Sequence, residues 1–298
     1  MDWKEYEHEI FEYFKGQYPD AEITLDAKKI GLYSKAERQI DILIEQYVAG
    51  NRIVIAIDGK YFNKKVDVKA VESYIGMLED VGAHKGLLIS KEGFSEAAYN
   101  RAHFGPTEIE LDILNFDNIH FFQSHGAIPY AGNNGALVPA PFGWVIDGQK
   151  SPAWLATLYL RGRTLDQAIA DNEFMYIQFW DRHKEGHSLD DLLKIQEETF
   201  LETDPNCLIE FLPTISRKDA KTKLRVAKIK NYPTPEYTGF VEFNDFIFFC
   251  VMFSPLNRSN SNIRKLENIM ESVLPIKVEH QKANKALQPT PKSGAAEL

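Results

Sequence analysis

The chain has 298 residues, 44% of them hydrophobic and 12% aromatic, with a net charge of −9. That length suffices for one large domain or two ordinary ones, and 19 Phe with 13 Tyr exclude wholesale disorder. Two distant cysteines, Cys207 and Cys250, exclude a disulfide framework and a cysteine-rich zinc site; no apolar run reaches bilayer length, and the acidic, amphipathic start Met1–Glu7 does not suit a secretory leader, so a cytoplasmic location is expected.

Trp3 to Tyr18 reads as a helix, because Tyr6, Ile10, Tyr13 and Phe14 recur at helical spacing; Gly16 and Pro19 mark its end. Residues 21–29 read as extended, and Gly31-Leu32-Tyr33-Ser34 as a turn. Gln39–Tyr47 alternates as a strand, with Ile40, Ile42 and Ile44 expected on one face and Gln39, Asp41 and Leu43 on the other. Ala49-Gly50-Asn51 is a hairpin signal, and the unbroken apolar run Ile53–Ile57 fits a strand buried on both faces.

Val68–Val81 predicts a second helix, Leu87–Ser90 a buried strand, Ser95–His103 a third helix and Ile109–Leu114 a further strand. A strand–helix–strand crossover from Ile57 to Leu87 implies parallel pairing. The expected fold is therefore α/β: a mixed central sheet flanked by helices over residues 1–124.

Residues 125–150 are rich in Gly, Asn and Pro and read as a linker or long surface loop. A smaller α+β domain is expected over 151–279. Its helices start at Thr164 with Gln167 and at Ser188 with Asp191, and Ser261–Val273 is amphipathic. Strands are expected at Phe174–Trp180, Leu224–Ile229 and Phe240–Phe253. Residues 280–298, with Gln288-Pro289-Thr290-Pro291, read as a disordered tail.

Residues 1–124 hold 14 Lys and Arg against 22 Asp and Glu. An acidic domain is a poor general partner for nucleic acid, since phosphate neutralisation needs clustered Lys and Arg. Two facts soften this. A metal site itself requires carboxylates, and Lys60, Lys64, Lys65 and Lys69 make a local basic patch offset only by Asp67.

The sharpest chemical feature is Asp41 on one expected strand and Asp58-Gly59-Lys60 at the end of the next. Other acidic residues precede a lysine by two positions, as in Asp26–Lys28 and Asp219–Lys221, but Asp58 alone follows five apolar residues in a row. Period-2 geometry puts Asp58 and Lys60 on one face, and the hairpin can bring Asp41 beside them. Two carboxylates and an ammonium in a partly buried place are costly unless compensated, and a divalent cation such as Mg²⁺ compensates them. The plainer account is a solvated Asp41 and an ordinary Asp58–Lys60 surface pair.

Four stretches carry a resemblance: Glu37-Arg38-Gln39-Ile40-Asp41-Ile42-Leu43-Ile44, Ile55-Ala56-Ile57-Asp58-Gly59-Lys60-Tyr61, Val66-Asp67-Val68-Lys69-Ala70-Val71-Glu72, and Gly82-Ala83-His84-Lys85-Gly86-Leu87-Leu88-Ile89-Ser90 leading to Gly93-Phe94-Ser95. They resemble the Mrr-like branch of the PD-(D/E)xK nuclease superfamily, within residues 1–124. The resemblance implies Asp41, Asp58 and Lys60 as catalytic residues, Asp41 and Asp58 as metal ligands, and Glu7 of the first helix as a further metal support. It implies Mg²⁺ as cofactor, DNA as partner through Lys64, Lys65 and Lys69, and a homodimer is compatible with it. The chain departs at Asp58-Gly59, where many relatives have Glu and then Cys. The reading is a DNA endonuclease, in restriction or defence; the alternative is a non-catalytic module of the same fold that binds nucleic acid or a protein.

Other features carry less. His84, His103, His120 and His125 lack zinc spacing and read as surface or core residues. Gly132–Gly135 is followed by no Lys-Ser/Thr and is no phosphate loop. The aromatics of 174–180 and 240–253 read as core, and no Ser or Cys has a paired His in a recognisable motif.

Overall fold

Asp2 starts the first helix, α1 (Trp3–Gln17): its carboxylate accepts from the Lys4 and Glu5 backbone N–H groups, and Glu5 accepts from the Asp2 N–H. The computed structural model describes residues 1–48, 51–104, 109–121, 125–130, 132–185, 187–230 and 232–277. The expected tail at 280–298 lies outside the described residues.

Three antiparallel strands follow, β1 (Glu22–Ile30), β2 (Glu37–Val48) and β3 (Asn51–Lys60). Helix α2 (Val68–Val81) then crosses to β4 (Lys85–Ser90), and α3 (Glu96–Phe104) crosses to β5 (Glu110–Asn115). The sheet order is β1-β2-β3-β4-β5, with β3, β4 and β5 parallel. Gly82 closes α2 at φ 66°, a left-handed conformation that glycine adopts without steric cost.

Each face of this sheet has its own core. Tyr6, Ile10 and Phe14 of α1 pack with Ile42, Ile44, Ile57, Leu87 and Ile89. On the other face, Val71, Tyr74, Ile75 and Leu78 of α2 pack with Ile40, Leu43, Ala56 and Leu88. Strict alternation along β2 thus fails at one place. Ile40 shares a face with Leu43, not with Ile42 and Ile44. The pairing of β1 with β2 skips the Asp26–Asp41 position, and Asp26 sits at φ 52°. This local break changes the face on either side of Asp41.

Residues 125–150 carry strands rather than a linker: β6 (His125–Pro129), β7 (Asn134–Pro139) and β8 (Trp144–Asp147). The Gly and Asn residues that suggested a loop serve the turns, with Gly132 and Gly143 at positive φ. Ile128, Ala136, Val138, Trp144 and Ile146 between them are buried.

The remainder contains β9 (Ala156–Leu160), α4 (Leu165–Ala170), β10 (Phe174–Asp181), the short α5 (Arg182–Glu185), α6 (Leu189–Thr203), β11 (Leu208–Leu212), β12 (Lys221–Lys228), β13 (Glu236–Glu242), β14 (Phe246–Phe253), α7 (Ser259–Ser272) and β15 (Leu274–Lys277). Thr164 with Gln167, and Ser188 with Asp191, form reciprocal caps at the starts of α4 and α6. The expected strand over 240–253 is two strands, because Asn244-Asp245 turns the chain between β13 and β14.

A seven-stranded antiparallel sheet runs β11-β12-β13-β14-β10-β9-β8, and a three-stranded sheet runs β15-β7-β6. The buried residues of this region form their own clusters, drawn from 128–273, while those of the first sheet come from residues 6–119. The seam between the halves is polar: Arg161 Nε donates to the fully buried Asp112 at 3.0 Å, and Lys265 Nζ to Glu110 at 2.6 Å. No helix among the described residues is long and apolar enough to cross a membrane.

Candidate active site

The unbroken apolar run of β3 holds that strand in the sheet centre, so its last residues emerge at one sheet end with defined directions. Asp58 and Lys60 alternate with Gly59 and share a face; Lys60 Nζ lies 2.6 Å from Asp58 Oδ2. Gly59 faces α1, where an added Cβ would meet Tyr6 at 3.0 Å. The Gly59 backbone N–H donates to Asp41 Oδ2 at 2.8 Å, so β2 and β3 are tied at their functional ends by the carboxylate itself.

Asp41 is also close enough to Asp58 for the two carboxyls to share a hydrogen bond. Burial, then the Asp58 charge and Glu7, push the Asp41 carboxyl up to about 7, against the opposing pull of the Gly59 N–H. Glu7, one turn into α1, is raised from its ordinary value by burial and by Asp26 and Asp58, and lowered by Lys60. The structure therefore brings Asp41, Asp58 and Lys60 together and sets Glu7 within electrostatic reach. Among the described residues no group of three or more His, Cys, Asp or Glu side chains is arranged to hold a metal ion. The donors in contact are the two aspartates.

A cleft of about 410 Å³ opens on this face, lined by Asp58 and Lys60 with Arg38, Gln39, Phe62 and Tyr74 among others. Lys64, Lys65 and Lys69 are exposed on the connection from β3 to α2 and on its first turn, and none forms an ion pair among the described residues. Tyr74 braces the floor: its hydroxyl donates to Ala56 O at 2.6 Å and accepts from the Leu87 N–H at 3.1 Å.

Sequence reasoning passed over three of these residues. Gln39 lines the cleft and donates to Asp26 Oδ1 at 3.2 Å, and Phe62 stands in the mouth, 42% exposed. Arg38 is fixed by Asp80 at 2.6 Å, and the same buried carboxylate accepts from Ser34 Oγ and from the Tyr33 and Ser34 N–H groups. Asp80 looked like one more polar helix residue; only the fold reveals that it anchors the 31–36 turn. Its partners hold its carboxyl well below the ordinary range. Of the histidines, His84 Nδ1 accepts from the Val54 N–H, His103 is buried, and His125 is exposed. The His120 side chain lies outside the described set.

Residues 1–115 match the family model described as restriction endonuclease, in its Mrr catalytic form, so this part of the chain is a restriction-endonuclease-like domain. The match ends before the seven-stranded sheet begins. No curated protein matches the chain. Three solved structures show local likeness. A protein of unknown function, AF1548, is 16% identical, with 38% of this chain and 58% of that chain covered and a TM-score of 0.30. The photosystem protein PsbP (CyanoP) of Synechocystis sp. PCC 6803 is 10% identical, with 51% and 93% covered and a TM-score of 0.35. The DNA modification-dependent restriction endonuclease AspBHI is 14% identical, with 39% and 34% covered and a TM-score of 0.25. The chain thus spans under two thirds of the length of the first and of the third.

Proposed function

We propose that this chain is a Mg²⁺-dependent endodeoxyribonuclease that hydrolyses phosphodiester bonds of DNA in the cytoplasm, in restriction or defence, with residues 125–277 as an accessory domain. The observation that carries the reading is the meeting of Asp41, Asp58 and Lys60 at one sheet end. Two carboxylates in contact, one of them desolvated, form an all-oxygen donor set suited to a hard divalent cation. Asp41 and Asp58 would hold the ion, with Glu7 supporting it from α1. When bound, the ion supplies an activated water and stabilises charge on the phosphate.

The chain's own residues do the rest. Lys60, held beside Asp58, orients the attacking water and neutralises charge developing on the phosphate. The Gly59 N–H fixes the Asp41 carboxylate, so the acceptor geometry exists before substrate arrives. Exposed Lys64, Lys65 and Lys69 beside the cleft hold the DNA backbone despite the acidic domain.

The test is DNA cleavage with Mg²⁺ or Mn²⁺ alongside calorimetric metal binding. Asp58→Ala is expected to remove both. Lys60→Ala is expected to keep metal binding, because an ammonium is no ligand, and to cut about 100-fold more slowly or less, the usual scale for losing one transition-state contact. Parent-like cleavage by Lys60→Ala would show the mechanism to be wrong. A parent protein that binds no divalent ion at millimolar concentration would leave the fold as a binding module.

A further inference from the structure

A second cavity, of about 610 Å³, lies at the seam of the two halves, away from the Asp41–Asp58 cleft. Its wall is unusual in charge. Glu110 faces it but is neutralised by Lys85 at 3.0 Å and Lys265 at 2.6 Å. Arg258 is paired with Glu173 at 3.0 Å. Arg264, also in the wall and exposed, pairs with no acidic side chain among the described residues, so the cavity retains surplus positive charge.

Helix α7 opens into the same space. It has 14 residues, and Arg258 at its cap position makes no side-chain capping bond, while Asn260 and Ser261 of its first turn line the cavity. The first N–H groups of a helix attract anions when no side chain caps them. The helix start is held in place: Asn262 Nδ2 donates to Glu173 Oε1 and to Ser254 Oγ, both at 2.9 Å, in a buried network.

Two further wall residues are independent signs of a ligand. His103 is 5% exposed and Trp144 is 1% exposed, and neither His103 Nε2 nor Trp144 Nε1 has a hydrogen-bond partner. Buried polar atoms are nearly always satisfied, so two orphans in one cavity wall require a partner from outside the chain. Burial holds His103 down to about 4, so it offers a neutral imidazole. Phe142 and Leu160 supply apolar surface in the same wall.

We infer that this interdomain cavity binds a phosphate ester of about mononucleotide size, its phosphate at the start of α7 beside Arg264 and its body against Phe142, Leu160 and the orphaned His103 and Trp144. The volume falls in the range of small-molecule sites, which favour domain interfaces. A ligand there touches α3 of the nuclease-like half and α7 of the other half at once.

The experiment is isothermal titration of the full chain with AMP and, separately, inorganic phosphate, at constant ionic strength and with EDTA to exclude metal-dependent binding elsewhere. AMP is expected to bind the parent and the Asp58→Ala protein alike, and to bind Arg264→Glu about tenfold more weakly or worse, as for loss of one charge-assisted bond. Inorganic phosphate is expected to bind more weakly than AMP. No heat with millimolar AMP, or equal AMP affinity in Arg264→Glu, overturns the inference. Equal affinity for phosphate and AMP removes the ester assignment. Loss of AMP binding in Asp58→Ala but not in Arg264→Glu would place the phosphate in the nuclease-like cleft and overturn the seam site.

Discussion

At the end of the N-terminal sheet, Asp41 and Asp58 lie in contact with a single cation, Lys60, and Glu7 adds a further negative charge nearby. In the C-terminal sheet, buried Arg225 meets Glu236 at 3.0 Å, Gln196 at 2.7 Å and Thr238 at 3.2 Å, with the rings of Phe200 and Phe240 against its guanidinium. Glu173 with Arg258 and Glu242 with Arg182 repeat that balance. The second region spends its charges on one another. The first leaves carboxylates under-compensated in a cleft, which is what a site awaiting a cation requires and what a purely structural cluster avoids.

The largest expected effect lies in the balanced region. Arg225→Met leaves Glu236 buried without its cation, and breaking one side of a buried pair costs about 3–5 kcal/mol. Denaturant unfolding is expected to show that loss. Asp41→Asn, by contrast, should not destabilise the chain, because it removes a charge that its surroundings disfavour. If the two substitutions cost the same, the distinction between the clusters fails.

The Asp41 carboxyl gives a pH signature for the same contrast. Its value is raised in the folded protein, from an ordinary 3.8 to about 7, so the folded state holds this proton more tightly than the unfolded chain. Between those two values the folded state binds more protons, and stability falls as pH rises; above about 7 the penalty is complete. The melting temperature without metal is therefore expected to drop by a few degrees between pH 5 and 8. Asp41→Asn should flatten that slope. Mg²⁺ should reduce it by favouring the ionised form. A slope unchanged in Asp41→Asn would assign the titration to other groups.

Much of the N-terminal half was legible because its signals are local. The period-3.6 stripe of Val71, Tyr74, Ile75 and Leu78 marks α2, and the apolar run before Asp58 marks a central strand whose end must project its polar residues. The face reversal at Asp41 was not legible, because it depends on a positive-φ residue, Asp26, in the neighbouring strand. In residues 125–150 the turn residues were read correctly as turns, but the short segments between them, such as Ala136-Leu137-Val138, become strands only by pairing with distant chain, including β15 at residues 274–277. The seam cavity was invisible for the same reason. His103, Trp144 and Arg264 are far apart in sequence, and nothing in their local context marks them.

Gly59 offers the smallest test, and it separates packing from chemistry within the nuclease-like cleft. Its backbone N–H does functional work by holding Asp41, while its missing side chain makes room for α1. Its φ is not in the left-handed region, so alanine is not opposed by the backbone. The obstacle is space: a Cβ would stand 3.0 Å from Tyr6 Cε1 and 3.3 Å from Ile10 Cδ1. Tyr6 is fully buried and its hydroxyl donates to Ile89 O at 3.2 Å, so the ring cannot withdraw without straining that bond. Gly59→Ala is expected to cost about 1 kcal/mol, the low end for overpacking, read as a small fall in melting temperature. Because the N–H remains, Asp41 keeps its partner, and metal binding should change less than stability does. A Gly59→Ala protein of parental stability would show that α1 yields easily. One that loses metal binding outright would show that the position of α1, and with it Glu7, sets the site more tightly than the Asp41–Asp58 contact does.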